Sequence, residues 1–411
     1  MSTTSTTVTS PKAEDVPPAQ EAVSGVVGTL TPHQKTMFDS FRAILQKANL
    51  YNPDTHDDAT LIRFLRARRY DPAKAHDQFA KTEAWRKEND VDNLYATFPT
   101  EEMQRAKLFY PRWTGRRDKQ GVPVYVYRLA SLDSTMQKEL NATSERRRYE
   151  RIVALWEFMR LFTLPLCSAL PHAPPLPVPA TPNPSSPASK AVNDIPAASE
   201  IATVTGVVSP DSNVPITSVF SIIDLGGVSM TTMWSLRHHL QQASELATAH
   251  YPETLHKIAV VNAPSFFGTV WGWIKAWFDE GTRTKVHVLD SNPGPTLLTM
   301  IDAENLPKIY GGQLDFEFAD EPVLDAPARE ALGQDSVPAG PVVYDVAERK
   351  WGRPAGYVEP QPSAQTVAGE DSDATAVGSE SSARSSVDEG TLRKSDSVKS
   401  KRRWLNFSST N

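Results

Sequence analysis

A single cysteine, Cys167, stands in 411 residues. That excludes an internal disulfide framework and any zinc site built on several thiolates, and it fits a reducing compartment. Glycine is sparse beside proline, 20 against 33, and the glycine-dependent catalytic loops are missing. There is no G-x-G-x-x-G fingerprint, no Walker A loop and no G-x-S-x-G elbow. Neither sign of charge dominates. With 43 basic and 49 acidic residues the net charge is −6, which argues against gripping nucleic acid by bulk charge. No run of about 18 residues reads as apolar enough to cross a bilayer. The opening MSTTSTTVTSPKAEDVPP lacks the basic start and apolar core of a secretory signal, so none is expected. A soluble protein is the expectation.

What is there is unevenly spread. Residues 1–29 are rich in Ser, Thr and Pro, residues 167–215 hold eight prolines between Pro171 and Pro187, and residues 359–411 are rich in Ser. All three are too poor in large apolar side chains to offset the entropy of ordering, so they read as a disordered N-terminal tail, an insertion and a disordered C-terminal tail. The tail's end joins Lys399, Lys401, Arg402 and Arg403 to Trp404, Leu405 and Phe407, a composition suited to an anionic membrane surface.

Between these lie the expected elements. Thr31 and Pro32 open a helix carrying Met37, Phe41, Ile44 and Leu45 on one face; Asp57 or Asp58 caps a second with Leu61, Phe64 and Leu65; a third follows Pro72 with Ala75, Phe79 and Trp85 inward. Residues 122–129, 219–225, 257–263 and 285–289 read as strands, the last three as short apolar runs of the kind covered on both faces. Helical patterns at 144–162 and 233–249 separate them. This order predicts an α/β fold: a helical lobe over 30–95, then a largely parallel sheet flanked by helices over 96–166 and 216–320. Residues 321–358 are expected to pack on that domain as a C-terminal extension.

Five stretches in sequence, DDATLIRFLRARRYDPAKA (57–75), KLFYPRWTGRRDKQGVPVYVY (107–127), FSIIDLGGVSM (220–230), YPETLHKIAVVNAPSFFGTVWGWIKAWFDEGTRTKVHVL (251–289) and ENLPKIYGG (304–312), resemble the CRAL-TRIO lipid-binding family, in particular fungal phosphatidylinositol/phosphatidylcholine transfer proteins. The resemblance implies a fold that encloses an apolar lipid cavity. It implies phosphatidylinositol headgroup contacts at Arg68, Glu253 and Lys285, with Asp279 and Thr282 adding polar contacts. For a second lipid headgroup it implies Tyr125 and Ser221, while Thr114 and Val219 stand where the family has another tyrosine and another hydroxyl. The second ligand is then phosphatidylcholine, held weakly, or another hydrophobic molecule. The family joins the helix ending near Cys167 directly to the strand at 219, so 167–215 is an exposed insertion, a regulatory segment or a gene-model artefact.

Residues 266–278, FFGTVWGWIKAWF, are apolar on almost every face and too short to span a bilayer as a helix. They read as a core helix, a cover over a cavity or a membrane contact. The resemblance implies a gate over the lipid, with Phe266, Phe267, Val270, Trp271, Trp273, Ile274, Trp277 and Phe278 as lid and membrane contacts. No catalytic residue, metal site or cofactor beyond bound phospholipid is expected. His238 and His239 are adjacent and point about 100° apart on a helix, a poor metal pair. The expected function is a cytosolic carrier that exchanges phosphatidylinositol and a second ligand at Golgi, endosomal or other internal membranes. The alternative is a lipid-sensing adaptor that presents lipid to a kinase or docks proteins without bulk transfer. Lipids, a transient membrane surface and a lipid kinase are the expected partners; nucleic acid is not.

Overall fold

Three capped helices come first in the computed structural model, which describes residues 25–172, 214–278 and 280–359. Helix α1 (Pro32–Lys47) starts at a reciprocal cap: the Thr31 hydroxyl accepts from Gln34 N, and the Gln34 side chain accepts from Thr31 N. Asp57 caps α2 (Asp58–Ala67) and Asp71 caps α3 (Pro72–Glu88). Their apolar faces meet in a core of their own around Phe41, Leu45, Leu61, Leu65 and Phe79. Phe38, rather than Met37 or Ile44, completes the buried face of α1. Val27 also packs on this core, so the expected N-terminal tail gives way to structure before residue 29.

After α4 (Val91–Ala96) and α5 (Thr100–Ala106) comes a five-stranded mixed sheet. Its strands are β1 (Arg112–Arg117), β2 (Pro123–Arg128), β3 (Val219–Asp224), β4 (Leu255–Val261) and β5 (Val286–Val288), in the spatial order 1-2-3-4-5. Only β1–β2 is antiparallel. Parallel neighbours in sequential order put every connecting helix on one face when the crossovers share the right-handed sense that such connections take. Those connections are α6 (Ser134–Ala142) with α7 (Glu145–Phe158), then α9 (Met230–His250), then α10 (Phe267–Ile274) with α11 (Glu280–Arg283).

Sequence reading missed β1. Three arginines and Gly115 do not look like a strand, but this is an edge, where arginines find partners elsewhere in the chain: Arg117 pairs with Asp325 at 2.9 Å, and Arg112, which has no carboxylate, bonds the Phe318 carbonyl. Gly115 sits at φ 80°, and a Cβ there would lie 2.7 Å from the Val323 carbonyl oxygen, so the bulge and the close crossing both need glycine.

Helix α7 runs through a π-turn (Met159–Thr163) into α8 (Leu164–Ala169). Pro165, within α8, cannot donate to the preceding turn, and the wider π-turn accommodates it. The whole of 145–169 is long and apolar enough to cross a bilayer, contrary to the sequence expectation, yet 61% of its apolar window is buried in the fold. It is the central core helix. Ser168 Oγ accepts from Ile216 N at 2.8 Å, and the His172 ring lies 2.8 Å from the Val214 carbonyl. The chain therefore leaves and re-enters at one point, and the expected insertion starts after His172 rather than at Cys167, which is fully buried.

Beyond β5 and α12 (Gly294–Leu297), α13 (Ala326–Leu332) and the hairpin β6 (Val343–Asp345) with β7 (Lys350–Gly352) pack against the same core through Leu324, Val342 and Tyr344. The Tyr95 hydroxyl donates to Val342 O at 2.6 Å and accepts from Val342 N. The expected tails at 1–24 and 360–411 and the insertion at 173–213 lie outside the described residues.

Candidate functional site: an apolar cavity with an ionic mouth

The crossover helices do not close fully on the sheet. Between them lies a cavity of about 250 Å³. Alternation along the strands supplies its floor from Tyr127, Ser221, Ile223, Ile258 and Val260. Leu240, Ala243 and Ala247 of α9 form one wall.

The cover is the aromatic segment. It is a helix of only eight residues, α10, followed by a 3-10 turn over Lys275–Trp277, not one helix across 266–278. Phe267, Trp271, Ile274, Trp277 and Phe278 line the cavity. Val270 is buried, Phe266 is half-buried, and Trp273 points outward at 49% exposure. Trp273 meets Trp234 of α9 edge to face at 5.9 Å, and Trp234 is 55% exposed. This exposed tryptophan pair escaped sequence reading because Trp234 lies far from the aromatic run. Gly268 and Gly272 lie on the outer side, where a Cβ would meet no atom within 4 Å.

At the start of β4 and β5, parallel neighbours, the lining turns polar with Glu253, Thr282 and Lys285. Glu253 is not in a helix; it occupies the turn before β4 with φ 59°, a conformation that costs a non-glycine residue energy and concentrates at functional sites. One of its oxygens, Oε2, lies 3.1 Å from Lys285 Nζ and 3.1 Å from an Arg66 η-nitrogen. Burial pushes the Glu253 carboxyl up, but Lys285 and Arg66 outweigh it and hold it below the ordinary carboxylate range. Lys285 and Glu253 are thus brought together and Thr282 stands beside them. Arg68 does not join them. It is the C-cap of α2 and its guanidinium donates to the Ala67 carbonyl, whereas Arg66 pairs with Glu253, so Arg66 is the arginine of this cluster although neither arginine lines the cavity itself. Asp279 lies outside the described residues.

The turn that carries Glu253 is anchored from below. Tyr251 donates to Glu157 at 2.6 Å, and Glu157, with no exposed side-chain surface, also pairs with Arg86 of α3 and Arg160. Burial alone would raise the Glu157 carboxyl; Arg160 and Arg86 override it and hold it down to about 2. The helical lobe also caps α9: Gln78 Nε2 donates to the Thr248 and Ala249 carbonyls at its C-terminus.

Ser221 and Tyr125 are register partners on adjacent strands but serve different spaces. Ser221 lines the main cavity, whereas Tyr125 lines a second, smaller hollow and bonds Thr163. Thr114 turns away to donate to the Val124 carbonyl; Trp113, the register partner of Tyr125, faces that hollow instead. Among the described residues no group of three His, Cys, Asp or Glu side chains is arranged to hold a metal.

Comparison with known proteins agrees with this architecture. Residues 202–312 match the CRAL/TRIO domain and residues 37–81 match the CRAL/TRIO N-terminal domain. The Sec14 cytosolic factor of Schizosaccharomyces pombe is 32% identical over 288 residues, covering 70% of this chain and 85% of its own. The phosphatidylinositol/phosphatidylcholine transfer protein SFH7 of Arabidopsis thaliana is 30% identical over 274 residues, covering 67% of this chain and 42% of its own. A solved structure, that of Sfh5, aligns over 76% of this chain and 93% of its own, at 17% identity and a TM-score of 0.47. The chain belongs to the CRAL/TRIO family and is a relative of the Sec14-like lipid transfer proteins.

Proposed function

We propose that the protein carries phosphatidylinositol and a second lipid between membranes, without making or breaking a bond and without a cofactor. The observation that carries this reading is an apolar cavity, roofed by aromatic side chains, whose lining ends at Glu253 and Lys285, with Arg66 paired to that same Glu253 carboxylate. A diacyl lipid exposes about 30 methylenes at about 0.8 kcal/mol each, so crossing water bare costs more than about 20 kcal/mol. An apolar enclosure removes most of that penalty. Two cations neutralise a phosphodiester, and a carboxylate accepts from inositol hydroxyls. The exposed Trp234–Trp273 pair suits the membrane interface, where an aromatic ring is half in lipid and half in water. On this reading the protein works from the cytosol, with transient attachment to internal membranes. The names of the Sec14 and SFH7 relatives point the same way.

The test is acceleration of labelled phosphatidylinositol transfer between vesicles by the purified full chain. No acceleration above the spontaneous rate sinks the carrier reading and leaves a lipid-presenting adaptor ahead. Lys285→Ala should weaken phosphatidylinositol loading by about 1.5–3 kcal/mol, the range for a charge-assisted hydrogen bond. Arg66→Ala should do the same, and Arg68→Ala should do much less; the reverse order would restore the assignment made from sequence.

Gly268→Ala and Gly272→Ala have room for the added methyl. Each should strengthen α10 by about 1 kcal/mol and slow transfer up to about fivefold, with equilibrium loading unchanged. Transfer at the original rate would show that α10 does not open during exchange.

A further inference from the structure

The smaller hollow, about 40 Å³, shares Pro111 with the main cavity and is lined by Lys107, Arg112, Trp113, Tyr125 and Phe158 among others. Tyr125 and Tyr127 point to the same face of β2, so the two spaces lie along one face of the sheet. Its volume is that of about three waters, enough for one compact polar group.

Aromatic walls alone would suit a quaternary ammonium. This hollow already has its cation. Lys107 is only 8% exposed, and its ammonium lies 4.6 Å from the Phe158 ring centroid. No carboxylate or carbonyl among the described residues pairs with it. Arg112, 4% exposed, spends one η-nitrogen on the Phe318 carbonyl and leaves Nε buried without a partner. Glu321 acts on both cations and Asp320 on Arg112, each only through space; both carboxylates are exposed and neither forms an ion pair with them. Burial, opposed by Glu321 and helped by Arg112, brings the Lys107 ammonium down to about 8. Two buried cations without a counterion are costly unless something anionic arrives to pair with them.

We propose that this hollow receives an anionic headgroup of the phosphomonoester or carboxylate class, and rejects choline, so that the second lipid is an acidic one. The inference rests on the carrier reading above: the hollow adjoins the main cavity at Pro111, and the proposal requires the lipid's tails to lie in that cavity. A choline would have to share the Phe158 face with an ammonium of the same charge. A phosphomonoester would instead accept from Lys107 Nζ and Arg112 Nε together.

The full chain, incubated with vesicles of equal phosphatidylcholine, phosphatidylinositol and phosphatidic acid, is re-isolated and its lipids are weighed by mass spectrometry. Phosphatidic acid should exceed phosphatidylcholine at least tenfold. Lys107→Gln should cut that ratio at least tenfold, Lys107→Arg should retain most of it, and the share of phosphatidylinositol relative to phosphatidylcholine should not move. A parallel calorimetric titration with inorganic phosphate separates a lipid headgroup from a free anion. Phosphate that binds as tightly as the lipid and is not displaced by it overturns the lipid assignment. Phosphatidylcholine captured as readily as phosphatidic acid overturns the proposal while leaving the carrier reading intact. Capture of no lipid at all sinks the carrier reading, and with it the lipid source. The wild-type ratio decides the matter even if a Lys107 variant fails to fold.

Discussion

Glu157→Gln is expected to destabilise the protein by about 3–5 kcal/mol, the usual cost of removing one partner from a buried ion pair. The glutamine keeps the shape but leaves Arg86 and Arg160 without the carboxylate they share, and turns the Tyr251 hydrogen bond into a neutral one. The wild-type protein should show the same interaction in its pH dependence. The folded carboxyl sits at about 2 against 4.5 for the free group. Its contribution, about 3 kcal/mol, is complete above pH 4.5 and fades as pH falls through 2. Denaturant titrations from pH 6 to pH 2 on both proteins measure the cost and its acid window together. A difference below about 1 kcal/mol at pH 6 would mean the network contributes little to holding the lobe on the sheet domain.

Cutting the insertion in two ways should give opposite results. Replacing 174–212 with a short Gly/Ser link should leave the melting temperature nearly unchanged, because His172 and Val214 already meet at 2.8 Å. Starting the cut at 167 removes Cys167 and Leu170 from the core, and the Ser168 bonds to Ile216 with them. The loss of several kcal/mol should lower the melting temperature on the order of 10 °C or abolish soluble expression. Equal melting temperatures for the two cuts would show that 167–172 adds nothing to the core.

The difference between those cuts shows where sequence reading stopped. Proline and serine density marks the insertion, but composition cannot see that Leu170 and His172 are the last residues of the core. Strands β3 and β4 were legible because a strand covered on both faces must be apolar throughout. Strand β1 was not, since an edge may carry arginines that find partners elsewhere in the chain. At the mouth, Glu253 and Lys285 could be named from the motif that holds them. The arginine could not, because Arg66, Arg68 and Arg69 fall where α2 ends and the helical phase is lost: Arg68 has φ −118°, and Arg69 and Tyr70 are left-handed. Glu157 and Arg160, three apart inside an apolar helix, were the available signal for the buried network. Lys107 gave no signal, since nothing local tells a buried lysine from a surface one.

The paired glycines of α10 separate two properties that in most binding sites are tied together. On the carrier reading, how long a lipid stays would depend on how readily the roof melts, and that would be set on its outer side at Gly268 and Gly272. Which lipid stays would depend on the inner side and on the walls. Substitutions on the outer side would then retune the pace of delivery while the choice of cargo is inherited unchanged.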